Sequence, residues 1–281
     1  MGKFDGLLLV SDFDNTLLFT KGAMETGKMP EEMSPRNIEG IRYWMAEGGV
    51  FAVATGRATM NFRKFYSMVP TNAPTIVDNG GAIYDYTTET YRELLLLPDS
   101  ILERMALVSE KFPNATIEMY HKDDLLQIFN PCDWSYNRAK LAGVTFQEVS
   151  RICADTTVLP ITKVMLASSD TKMLEEIRSF MTESGWRADY EITSSAEVLI
   201  EITAKGATKG IAVKKLQEMM GCTKVFCVGD QTNDLPMLLV ANRGFAPANA
   251  AEAVLSSGVT AVCHSRDGAI GDIVEILSKE N

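Results

Sequence analysis

Asp12 and Asp14 are the residues of this chain best placed to do chemistry. They stand in the run Ser11-Asp12-Phe13-Asp14-Asn15-Thr16, directly after the apolar stretch Leu7-Leu8-Leu9-Val10. Residues two apart on a strand point the same way. The two carboxylates therefore leave the strand on one side, and a turn at Asn15-Thr16 lets Asp14 swing over Asp12. In an open α/β sheet the C-terminal edge of a strand is where ligands bind. One carboxylate can attack while the other handles protons, with a hard cation holding them and a phosphate together. The same residue types also suit a strand-end turn, so the rest of the chain must decide.

Three further clusters bear on that choice. Val53-Ala54-Thr55-Gly56-Arg57 ends a second apolar run, where Thr55 can present a hydroxyl and Gly56 an unhindered N–H to an anion. A helix-capping Thr fits there equally well. Gly206-Ala207-Thr208-Lys209-Gly210 places a lysine at a helix start. It opposes the macrodipole, so Lys209 is either solvated or paired with an anion. The spacing is not that of a P-loop. Lastly, Val225–Val228 runs into Gly229-Asp230-Gln231-Thr232-Asn233-Asp234, another strand-end carboxylate with an acid and an amide behind it. Mg²⁺ takes a few oxygen ligands and keeps several waters; Asp12 with Asp230 makes such a sparse cage.

The elements that must carry these clusters alternate. Strands are expected at Leu7–Ser11, Val50–Ala54 and Thr75–Val77, with helices over Pro35–Glu47, opened by Ser34 and Pro35, and Ala58–Met68. The pattern returns near the end: helices over Thr208–Met220, Leu235–Val240, Ala248–Leu255 and Gly268–Leu277, strands at Lys224–Val228 and Gly244–Ala246. Strands joined by helices imply a parallel sheet with helices on both faces. Between the two stretches the texture changes to strands of alternating character (Ala115–Tyr120, Leu125–Phe129, Thr162–Ala167) and helices at Ser100–Phe112 and Thr171–Ser184. The expected fold class is thus α/β, a doubly wound parallel-sheet core with an inserted α+β cap. Residues 1–83 and 196–281 are the core and residues 84–195 the cap.

Composition narrows the function. The chain has 281 residues, 46% hydrophobic and 23% charged, as an ordinary globular protein does. Lys plus Arg number 27 against 37 Asp plus Glu, a net charge of -10, which opposes general affinity for nucleic acid or anionic membrane. Five scattered cysteines with no C-x-x-C point to reduced thiols in a cytoplasmic protein, and two histidines, His121 and His264, argue against a His-rich zinc site. No apolar run has membrane-spanning length.

Taken in order, D-x-D-x-T, A-T-G-R, the helix-start lysine and G-D-x-x-N-D resemble the four motifs of the haloacid dehalogenase superfamily. Within it the chain is similar to the Cof-type phosphatases, whose large C2-type α/β cap is inserted between the second and third motifs. The resemblance spans essentially the full length and takes in Asp78-Asn79-Gly80-Gly81, Phe245–Ala251 and Asp267-Gly268. In the cap it extends only to length and texture. It implies that Asp12 is the nucleophile, forming an aspartyl-phosphate, and that Asp14 is the general acid and then the base. It implies Mg²⁺ held by the Asp12 side chain, the Asp14 backbone carbonyl and Asp230. Thr55, the Gly56 N–H, Lys209 and Asn233 would grip the phosphoryl oxygens. Asp234 would orient Lys209 or a metal-bound water, and Thr16 would fix the turn that aims Asp14.

The function implied is Mg²⁺-dependent hydrolysis of a small phosphomonoester, a sugar phosphate or related metabolite, by a monomer or homodimer. Two alternatives share the fold: a sugar phosphomutase of phosphomannomutase type and a non-enzymatic binding or regulatory protein. A glycosyltransferase using D-x-D for metal would leave A-T-G-R, Lys209 and G-D-x-x-N-D unexplained. In the cap, His121, Lys122, Asn130, Trp134 and Arg138 are the polar or aromatic residues that could face the site. For each, a surface or cap-core position is the expectation.

Overall fold

The computed structural model describes residues 2–29 and 32–280. Its strands in chain order are β1 (Leu7–Ser11), β2 (Val50–Val53), β3 (Thr75–Val77), β4 (Ala82–Asp85), β5 (Thr90–Leu94), β6 (Thr116–His121) and β7 (Leu126–Phe129). They continue with β8 (Gln147–Val149), β9 (Ile161–Ala167), β10 (Tyr190–Thr193), β11 (Leu199–Ala204), β12 (Lys224–Val228), β13 (Arg243–Pro247) and β14 (Thr260–Val262). β14-β13-β12-β1-β2 form a sheet whose paired strands are all parallel. Every residue of β1 is buried, as a parallel strand covered on both faces requires. On one face the helices Pro35–Ala46 and Ala269–Glu280 bring Ile41, Trp44, Ile270 and Ile273 to Leu7, Leu9 and Phe51. On the other, Lys209–Met219 and Leu235–Val240 cover Leu8, Val10 and Ala52 with Val213, Leu216 and Met237. Alternate residues of one strand thus feed two cores, and the sheet is doubly wound as expected.

One core helix is shorter than expected. Instead of spanning 248–255 it covers only Glu252–Leu255. Asn249 explains the difference, because its side chain serves two distant partners that a helical turn would deny it. Its amide donates to the Asn15 carbonyl at 2.8 Å, and its Oδ1 accepts from the Ser265 N–H at 2.9 Å.

The inserted part is a second sheet, in the order β10-β11-β9-β6-β7-β8, antiparallel except for the β7–β8 pair. Helices Ile101–Lys111 and Thr171–Glu183 pack on one face through Met105, Val108, Leu174 and Ile177. The other face carries Tyr120, Leu126, Ile128, Met165 and Leu199, and these pack with Ala58 of the core. That face overlooks the rim where β1, β2 and β12 end. A third, antiparallel sheet β3-β4-β5 lies at the junction. The division at 83/84 falls inside β4, and β11 pairs with β9 and β10 beyond the division at 195/196.

Candidate active site

Asp12 immediately follows β1, its N–H donating to the Val228 carbonyl at 2.9 Å, so β1 and β12 end together at the site. Lys209, first residue of the helix Lys209–Met219, is fully buried, and its Nζ donates to Asp12 Oδ1 at 2.6 Å and Asp234 Oδ1 at 2.5 Å. The unfavourable lysine at a helix N-terminus is thereby explained by anions, not by solvent. Burial alone would drive the ammonium toward neutrality, but Asp12 and Asp234 outweigh it and keep Lys209 charged above its ordinary range. Asp234 Oδ2 accepts the backbone N–H groups of Asp230 at 2.9 Å and Gln231 at 3.0 Å. Asp234 is therefore the brace between Lys209 and the loop after β12.

Asp12, Asp230 and Asp234 each bring one oxygen within 4.8 Å of the others. Burial, reinforced by the neighbouring carboxylates, lifts Asp12 well above the usual carboxylate range despite Lys209. Burial and the repulsion of Asp234 push Asp230 up to about 7 against the pull of Lys209. Such crowding of oxygen donors fits a hard divalent cation. Asp234 is committed through one oxygen to the Lys209 ammonium and through the other to two backbone N–H groups. Asp230, among the described residues, accepts only the neutral side chains of Thr16 and Gln231 and lines the cavity together with Asp12, so Asp12 and Asp230 are the better placed of the three to hold one.

Asp14 lies elsewhere than a free acid would. Arg57 clasps it through two bonds, Nε to Oδ2 at 2.8 Å and Nη2 to Oδ1 at 2.7 Å, and the Thr20 hydroxyl donates to Oδ1 at 2.8 Å. Burial raises its carboxyl, but Arg57 and Thr20 prevail and hold it below the ordinary value. Thr16 departs from expectation as well. Its hydroxyl crosses to Asp230 Oδ1 at 3.1 Å. The turn that aims Asp14 is made by Asn15, in the left-handed region at φ 57, whose N–H reaches the Leu18 carbonyl at 2.7 Å.

Thr55 is buried and its Oγ1 accepts the Arg57 N–H at 3.1 Å. Asn233 donates to Asn79 Oδ1 at 3.0 Å, while its own Oδ1 is buried without a partner among the described residues. Asp12, Asp14, Gly56, Asp230 and Asn233 all line one cavity of about 530 Å³. The cap supplies its far wall with Tyr120, Trp134, Arg138, Lys163, Leu199 and Glu201. Trp134 and Arg138 thus reach the cavity, contrary to the expectation of surface or cap-core positions. The helix Asp133–Ala142 turns both toward the core, and Arg138 pairs with buried Glu118 of β6. His121 is buried, Lys122 and Asn130 are exposed, and none of the three lines the cavity. Arg57, Lys163 and Glu201 had no role assigned from sequence. Arg57 stood inside A-T-G-R, but the other two lie in strands whose apolar neighbours mask them.

Residues 9–272 match the family described as haloacid dehalogenase-like hydrolase. The chain is 25% identical over 258 residues to pyridoxal phosphate phosphatase YbhA of Escherichia coli (strain K12), covering 88% of this chain and 89% of that one. It is 22% identical over 286 residues to 5-amino-6-(5-phospho-D-ribitylamino)uracil phosphatase YitU of Bacillus subtilis (strain 168), covering 96% and 97%. Its fold is similar to that of a haloacid dehalogenase-like hydrolase from Bacteroides thetaiotaomicron, with a TM-score of 0.80 at 22% identity, over 98% of this chain and 99% of that one.

Proposed function

The chain belongs to the haloacid dehalogenase-like hydrolases, and from that premise we propose that it is a phosphatase passing the phosphoryl group of a small ester to Asp12 and then to water. The observation that carries this reading is the buried Lys209 ammonium between Asp12 and Asp234, beside a cavity that Asp12 lines. The Asp12 carboxylate forms a bond to phosphorus as the ester P–O bond breaks, and Asp14 gives its proton to the departing alcohol oxygen. Asp14 then takes a proton from water, which attacks the aspartyl-phosphate, releases phosphate and restores Asp12. Ionised beside Arg57, Asp14 is set for this second, base half of the cycle. Lys209, Asn233, the Thr55 hydroxyl and the Gly56 N–H meet the charge on the phosphoryl oxygens. Asp12, Asp230 and the Asp14 backbone carbonyl would hold Mg²⁺, which supplies charge neutralisation at the phosphoryl group.

The two relatives' names specify small phosphorylated metabolites, and the cavity of about 530 Å³ is of a size for one. A sugar phosphate or related metabolite is the substrate class we assign, with residues between the β4–β5 hairpin and Ala204 acting as the cap. In this reading the enzyme works in the cytoplasm, as a monomer or homodimer without nucleic-acid or membrane partners. Its five unpaired cysteines suit a reducing compartment. Among the described residues no helix is long and apolar enough to cross a membrane.

Phosphate release from sugar phosphates, nucleotides and an aryl phosphate, with Mg²⁺ or EDTA, tests the reading. Release is expected only with metal, without any bisphosphate activator, and is abolished in Asp12→Asn. Turnover by that variant would remove Asp12 as nucleophile. Activity that needs a bisphosphate would indicate the mutase.

A further inference from the structure

The loop that carries Thr55, Gly56 and Arg57 is tied down almost group by group. The Thr55 N–H donates to the Ile76 carbonyl at 2.8 Å, and the Thr55 carbonyl accepts the Asn79 N–H at 3.1 Å. The Arg57 N–H is taken by Thr55 Oγ1 at 3.1 Å, and its carbonyl by the Asp78 N–H at 3.0 Å. Every one of those partners belongs to the core or its adjoining hairpin sheet. The Gly56 carbonyl is different: it accepts Lys163 Nζ at 2.6 Å, from β9 in the middle of the six-stranded sheet. That leaves the Gly56 N–H as the one backbone donor of the three without a protein partner among the described residues, in a glycine that lines the cavity beside Asp12.

Lys163 is itself an unusual feature. Its side chain is 4% exposed, and the same Nζ donates to Glu201 Oε1 of β11 at 2.5 Å, with Glu201 equally buried. A buried ion pair contributes little stability over an apolar pair of similar volume, so packing does not account for a charged pair here. What the pair provides is a fixed ammonium, too short of freedom to turn away, directed across the junction at one peptide of the phosphate loop. The lysine has a third N–H, but no further acceptor among the described residues is bonded to it.

We propose that Lys163 is a positioning residue for phosphoryl transfer: by holding the Gly56 carbonyl, it aims the Gly56 N–H into the phosphoryl site, so that the cradle is complete only when the six-stranded sheet is seated on the core. Closure of the cap and assembly of the cradle are then one event, an arrangement that withholds transition-state contacts until the ester is enclosed. This rests on the phosphatase reading for its consequence in catalysis, but the geometry concerns phosphate binding as such.

The test is a variant pair. Lys163→Met with Glu201→Gln removes both buried charges together and leaves no unpaired ion. Lys163→Arg keeps a donor within reach of the Gly56 carbonyl. For the double variant, kcat is expected to fall by about 10–100-fold, the scale of a misplaced catalytic contact. The factor should be the same for p-nitrophenyl phosphate and for a hexose phosphate, because the lost contact acts on the shared phosphoryl group. Inorganic phosphate, titrated calorimetrically with Mg²⁺ present, should bind the double variant several-fold more weakly, and Lys163→Arg should recover both properties in part. A fall in kcat that differs between the two esters would make Lys163 a leaving-group contact and overturn the proposal. So would unchanged phosphate affinity in a folded double variant, or no recovery in Lys163→Arg. If wild type releases phosphate from neither ester yet the affinity difference is found, the phosphatase reading fails while the role of Lys163 in the cradle stands.

Discussion

Asp78 is buried and Asp14 partly so, and their surroundings drive the two carboxyl groups in opposite directions. Burial raises Asp14, but the Arg57 clasp overcomes it and lowers the carboxyl. Burial lifts Asp78 to about 7, with Lys163 too weak a counterweight. Arg57→Ala should therefore let Asp14 keep its proton to higher pH. The limb of kcat/KM against pH that reports Asp14 is expected to move upward, and a limb that stays in place would show that Asp14 does not titrate in catalysis. For Asp78 the linkage has the opposite consequence from a salt-bridged acid. The folded state binds the proton more tightly between pH 3.8 and about 7, so this group removes stability as pH rises through that window, at roughly 1.4 kcal/mol per unit. Asp78→Asn, whose amide tolerates the left-handed φ of 52 found there, should melt above wild type by a margin that grows from pH 5 to about 7 and then levels off. A constant margin would refute the assignment. Asp12, Lys209, Asp230 and Asp234 were legible in the sequence because each sits where a predictable element begins or ends. Arg57 was written there too, but its partner lies 43 residues away, and nothing in A-T-G-R announces which acid it meets.

Elements place these groups to within a bond length, and glycine decides one such approach. Gly80 follows β3 with φ +99, and a Cβ there would lie 2.2 Å from the Thr208 carbonyl oxygen and 2.9 Å from the Lys209 nitrogen. Gly80→Ala should thus push the start of the helix Lys209–Met219 away from the site, lowering both Tm and kcat, with a destabilisation on the order of 2–4 kcal/mol. Gly221 also has a positive φ, +65, but open space around it. Gly221→Ala is the control: about 1 kcal/mol of strain and an unaltered kcat. Equal losses of activity in both would sever the link between the Gly80 contact and Lys209. Most core elements could be read from sequence because buried parallel strands such as Leu7–Ser11 are continuous apolar runs. The core edge strand β14 was not foreseen, nor were the helix Asp133–Ala142, the β4–β5 hairpin, β8, β10 and β11. Their buried and exposed positions depend on tertiary neighbours, as in β5, where no residue is fully buried, and short strands of that kind lack a periodic signature.

At the scale of the whole molecule, two different sheets face one cavity. The core side is built of charge, and the cap side of Trp134, Tyr120, Leu199 and Met165, with Arg138 laid 5.0 Å from the Trp134 ring centre and 5.4 Å from that of Tyr120. The cations on this wall already have acidic partners: Arg138 with Glu118, Lys163 with Glu201. What remains for a leaving group is mainly apolar and aromatic surface, with Trp134 half-buried and available. The sequence of the cap showed its α+β texture but not this wall, since its members come from three strands and a helix that only pairing across the sheet brings together. Trp134→Ala should leave chemistry at Asp12 untouched and weaken the hold on the alcohol portion. For a bulky ester KM is expected to rise about tenfold, the loss of roughly 1.4 kcal/mol of ring contact, with kcat little changed. For a two-carbon alkyl phosphate, too small to reach from the phosphoryl site to the wall, KM should hardly move. The ratio of the two KM values is what decides: if Trp134→Ala shifts both esters alike, the helix Asp133–Ala142 shapes closure of the cap and not recognition of its substrate.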